Sequence, residues 1–120
     1  MPAPTDGFEI EVETPPKVAA GEAVIVKVHV QPRAPWHMNV DYPAKLRMVA
    51  TAGIELDAPV LNKGDAERLD DNGLVFPVML TPNVDHHGHT KMVGEIHFAI
   101  CGAAECAQQQ VPVEFSLEIT

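Results

Sequence analysis

The sequence predicts an all-β domain, an immunoglobulin-like sandwich of about seven or eight antiparallel strands. Three observations predict it. Five segments alternate apolar and polar residues with a period of two, the pattern of a strand with one wet face. Eleven prolines and eight glycines punctuate 120 residues, too often for a helical bundle. No window of a dozen residues carries the periodicity of an amphipathic helix.

The first strand is Phe8, Ile10 and Val12 alternating with Glu9, Glu11 and Glu13, apolar on one side and acidic on the other. Thr14-Pro15-Pro16 and Ala20-Gly21-Glu22 punctuate the connection to the second, where Val24, Val26, Val28 and Val30 alternate with Ile25, Lys27, His29 and Gln31. Lys45 to Ala50 reads as a strand, and Glu55 to Val60 as a weaker one. Ala66 to Leu69 can form one helical turn and no more. Asp71-Asn72-Gly73 is a turn before the Leu74, Phe76, Val78, Leu80 strand, and Thr81-Pro82-Asn83 is the turn after it. Met92, Gly94, Ile96, Phe98 and Ile100 define the next strand. Val111, Val113, Phe115, Leu117 and Ile119 define the last.

A chain of 120 residues fits one domain and buries enough surface for a real core. Residues 1–6 read as a disordered lead-in and 7–120 as the single domain. The formal net charge of −9 repels phosphate backbones and anionic lipid surfaces, which argues against nucleic acid or a membrane as partner. No apolar run approaches the length of a membrane span. Met1-Pro2-Ala3-Pro4-Thr5 is not a signal peptide, so either the protein is cytosolic or a leader has been removed.

Cys101-Gly102-Ala103-Ala104-Glu105-Cys106 lies between the last two strands, at the turn of a hairpin. Cysteines flanking a tight reversal can reach disulfide geometry without distorting the strands. Closing so short a loop stabilises by roughly 2 kcal/mol in the chain-entropy model. Parity puts Cys101 on the accessible face with Glu95, His97 and Ala99. Both a structural disulfide and a redox-active one fit the spacing. An acidic Glu105 disfavours a thiolate at Cys106, while His97 favours one at Cys101 if it is close.

Gly94 to Cys106 followed by an alternating strand resembles the periplasmic N-terminal domain of the thiol:disulfide interchange protein DsbD. Trp36-His37-Met38-Asn39-Val40-Asp41-Tyr42-Pro43-Ala44-Lys45-Leu46 is similar to that family's aromatic loop-to-strand region, and Phe76-Pro77-Val78-Met79-Leu80-Thr81-Pro82 to one of its strands. The resemblance implies an immunoglobulin-like fold and a periplasmic or secreted location. It implies that Cys101 and Cys106 cycle between dithiol and disulfide, exchanging electrons with thioredoxin-like protein partners and without a cofactor. It implies a cap loop, Lys63 to Asn72, that shields the cysteines; the chain itself is expected to be a monomer. That segment contains no aromatic residue, which leaves Leu69 to cover the sulfurs. Trp36, His37 and Tyr42 become candidate contact residues beside them.

Two other chemistries fit parts of the sequence. His86, His87 and His89 suit a metal such as copper, nickel or zinc, although neighbouring histidines diverge on a regular backbone. A non-catalytic interaction domain with a structural disulfide is the alternative to exchange. Ser116 is the only serine and sits on a strand outside any nucleophile turn, and no glycine-rich phosphate loop occurs. Methionines 38, 48, 79 and 92 read as core filler rather than ligands.

Overall fold

A computed structural model describes residues 7–120. The expected lead-in, residues 1–6, lies outside the described residues. The chain forms two antiparallel sheets packed face to face. The strands are β1 (Phe8–Glu13), β2 (Val24–Pro32), β3 (His37–Met38), β4 (Lys45–Met48), β5 (Ile54–Leu56), β6 (Val60–Asn62), β7 (Arg68–Asp70), β8 (Gly73–Pro82), β9 (Gly88–Cys101) and β10 (Cys106–Ile119).

The first sheet runs β1-β2-β8, with β5 and β7 lying one after the other along the far side of β8. The second runs β10-β9-β4-β6, with β3 continuing beyond β4 along β9. The first segment belongs to both sheets. β1 pairs with β2, and then Val18 makes a parallel bridge to Ile119 at the end of β10. Val18 N donates to Glu118 O at 2.8 Å, and Thr120 N donates to Val18 O at 2.9 Å. This switch closes one side of the sandwich.

The period-two pattern explains the core. Val26, Val28, Val30, Leu74, Phe76, Val78 and Leu80 point inward from the first sheet. Leu46, Met92, Ile96, Phe98, Ile100, Phe115 and Leu117 meet them from the second. Phe8 and Phe98 join the layers edge to face, with ring centroids 5.1 Å apart and planes at 86°. Met38, Met48 and Met92 fill the interior as expected, whereas Met79 is exposed and pairs with exposed Ile25 on the outer face of the first sheet.

Three local expectations are corrected. The weak strand over Glu55 to Val60 is two strands in different sheets, β5 on β8 and β6 on β4. Asp57 N donates to Met79 O in one sheet and Pro59 O accepts from Met48 N in the other, so the chain crosses between layers at Ala58. The turn expected at Ala66 to Leu69 lies earlier, as a 3-10 turn at Lys63–Asp65 in which Asp65 Oδ2 accepts from Asn62 N at 2.9 Å. Arg68–Asp70 is extended instead, because the open edge of β8 offers it backbone partners. The last strand begins at Cys106, not Val111, and pairs with β9 along its whole length.

Candidate functional site

The cysteines form the last pair of the β9–β10 ladder. Cys101 stands opposite Cys106, and their sulfurs are bonded at 2.07 Å, with Cα atoms 3.9 Å apart. Gly102 N donates to Glu105 O at 2.7 Å, which closes the connecting turn. The bonded pair at 102 and 105 makes the adjacent cysteine pair one of the close, non-hydrogen-bonded positions of the ladder. Cys106 is exposed and Cys101 is half-buried.

On the other side of Cys101 lies β3, where His37 is its direct partner and Met38 is the partner of Ile100. Asn39 N donates to Ala99 O at 2.9 Å and continues the pairing. His37, Cys101 and Cys106 therefore form one row across three strands. Directly opposed side chains have Cβ atoms roughly 5 Å apart. His97, expected as the histidine that tunes Cys101, does not take that place. It lies four residues along β9, roughly 13 Å away, and its Nε2 is 2.7 Å from Glu95 Oε1.

Trp36 precedes this row in a turn closed by Trp36 N donating to Arg33 O at 2.8 Å, with a cis peptide between Ala34 and Pro35. The indole is held between two glycines. A Cβ on Gly7 would lie 3.2 Å from Trp36 Cδ1, and one on Gly102 would lie 3.4 Å from Cζ3. The large aromatic against the disulfide turn is thus Trp36. Leu69, expected as the cover, packs against the core from β7. The expected cap segment still reaches this end of the sandwich, since Asp71 O accepts from Met38 N at 2.9 Å. Tyr42 is half-buried in a turn where its N–H donates to Asn39 O at 3.3 Å.

The histidine-rich turn is at the other end of β9. His86 Nε2 is 2.7 Å from Thr90 Oγ1, and its ring lies against Gly53, whose φ is +85°. His87 and His89 are exposed. Among the described residues no three His, Cys, Asp or Glu side chains converge into a metal-binding group. The three histidines are not brought together because His86 points into the fold while its neighbours face solvent.

Two features escaped sequence reasoning. Gln109 is 2% exposed, and its Nε2 has no hydrogen-bond partner among the described residues. Its parity with Val111 and Val113 was the available signal. The pairing of His37 with Cys101 had no local signal, because β3 and β9 are far apart in sequence.

No known family's sequence profile matches the chain, and no curated protein matches it. Solved structures do. Native alpha-2-macroglobulin of Escherichia coli, spanning domain MG7 to the C-terminus, superposes with a TM-score of 0.56 at 13% identity. The match covers 94% of this chain and 16% of that one. A cryo-EM reconstruction of E. coli alpha-2-macroglobulin gives 0.54 at 12% identity, covering 95% of this chain and 7% of that one. The chain thus spans a small part of both. At this identity the likeness establishes the fold: an immunoglobulin-like β-sandwich, here carrying a disulfide across the end of its last hairpin.

Proposed function

We propose that this domain is an extracytoplasmic thiol–disulfide exchange module related to the N-terminal domain of DsbD, with thioredoxin-like dithiol proteins as partners. The observation that carries the reading is the exposure of Cys106 at the open end of a hairpin, where a partner's sulfur can approach. Disulfides persist in oxidising compartments, which supports a periplasmic or secreted location. Among the described residues no helix is long and apolar enough to cross a membrane.

In the exchange, a partner thiolate attacks Cys106 Sγ in line with the bond to Cys101. The sulfur–sulfur bond breaks, and its electron pair leaves on Cys101 Sγ. Cys106 is then joined to the partner as a mixed disulfide, which the partner's second thiolate attacks. The partner becomes oxidised and the domain is released as the dithiol.

Titration of the cysteine pair against glutathione buffers, read by mass shift after alkylation, tests the reading. Exchange predicts a potential above about −300 mV. A pair that stays oxidised at every glutathione ratio defeats it and leaves an interaction domain with a structural disulfide. In that case replacing both cysteines by serine costs about 2 kcal/mol of stability and leaves partner binding intact.

A further inference from the structure

We propose that His37 is the residue that stabilises Cys101 as the departing thiolate, an assignment that rests on the exchange reading above. Strand register places His37 there. β3 is two residues long, and one of them is placed directly against Cys101 on the side away from Cys106. A side chain in that position stands on the same face of the sheet as the sulfur that receives the electron pair when Cys106 is attacked. An imidazolium next to a sulfur favours the thiolate, and a better leaving thiolate leaves faster.

The other charged groups at this end do not supply that stabilisation. Glu105 precedes Cys106 in the turn, and Asp71 borders β3 through its bond to Met38, so both carry the wrong sign. Arg33 Nη2 is 3.3 Å from Glu9 Oε2. His97 is engaged with Glu95 further along the strand. His37 is exposed, and its side chain makes no hydrogen bond or ion pair within the described residues that would give it a structural task.

The attacking thiolate forms a bond to Cys106 Sγ, the Cys101–Cys106 bond breaks, and Cys101 Sγ carries the electron pair. His37 in its protonated form stabilises that charge as a neighbouring cation, and Cys101 takes up a proton from solvent when it ends as the thiol. The reductant is the dithiol partner, or dithiothreitol in the test.

The test compares the full chain with the variants His37→Gln and His37→Lys. Reduction by dithiothreitol is followed at neutral pH. The thiolate absorbance of Cys101 is titrated in a Cys106→Ser background. His37→Gln is expected to slow reduction about tenfold and to raise the midpoint for thiolate formation by about one pH unit. His37→Lys, which restores a cation, recovers most of both, and thermal unfolding is unchanged in each. Equal rates and equal thiolate titrations in the wild type and His37→Gln overturn the assignment. A wild-type disulfide that dithiothreitol reduces but no glutathione ratio does removes the exchange reading itself, so the two failures are told apart.

Discussion

The indole of Trp36 lies over Gly102, the residue that follows Cys101 in the disulfide turn, so close that a Cβ there would sit 3.4 Å from Cζ3. The same ring meets Gly7 on its other side. A single aromatic side chain thereby joins the start of β1, the turn before β3 and the hairpin carrying the cysteines. Trp36→Ala removes a half-buried ring and should lower stability by about 2 kcal/mol. It should also open the turn, so reduction by dithiothreitol accelerates severalfold. Denaturant unfolding and reduction kinetics measure the two effects separately, and an unchanged reduction rate would mean that the indole does not shield the bond.

Gln109 is an inward-facing polar residue in an apolar layer. It stands opposite Phe98, and its amide nitrogen has no hydrogen-bond partner among the described residues. A buried donor without a partner costs about 1–3 kcal/mol. Gln109→Met keeps the length of the side chain and removes the donor. It should raise the midpoint of chemical unfolding by an amount equivalent to about 1 kcal/mol. A loss of stability would show that the amide is satisfied in solution.

Gly94 lets β4 approach β9. A Cβ at this position would lie 2.5 Å from the carbonyl oxygen of Arg47 and 2.6 Å from Met48 Sδ. The backbone oxygen cannot move without breaking the ladder that pairs Arg47 with Glu95 and Met48 with Gly94. Gly94→Ala should therefore destabilise by about 2 kcal/mol, with accelerated amide exchange along β4 and little change in β1 and β2.

Asp70 accepts from Arg68 Nε at 2.9 Å, and its Oδ1 accepts from the backbone of Asn72 at 2.8 Å. The Arg68 hydrogen bond, followed by that from Asn72, holds its carboxyl below the ordinary carboxylate range. A carboxyl whose folded value is depressed adds stability that is fully present above its unfolded value and is lost as pH falls through the folded one. Asp70→Asn should therefore loosen β7 and the turn into β8 at neutral pH and make no difference in strong acid. Amide exchange of Asn72 and Gly73 at the two extremes of pH reads this directly.

Much of the fold was legible because alternation is a local property. Val26-Val28-Val30 and Ile96-Phe98-Ile100 choose a side of their strand by parity alone, and the sheets bury that side. Short elements were less legible. β5, β6 and β7 have three residues each, too few for a period to show, and their state is set by which sheet edge is open to them. Nearness in sequence pointed to His97 as the histidine beside Cys101, and the pairing of β3 with β9 puts His37 there instead.

By itself the amino-acid order determined a two-layer β domain, the inward and outward faces of its long strands, and two cysteines flanking a hairpin reversal. Only the tertiary structure decided that His37 stands against Cys101, that Trp36 is clamped between Gly7 and Gly102, and that His86 turns away from its neighbours. The physical reason is that side-chain alternation depends on two adjacent peptide units, whereas register between distant strands depends on how all the layers pack at once.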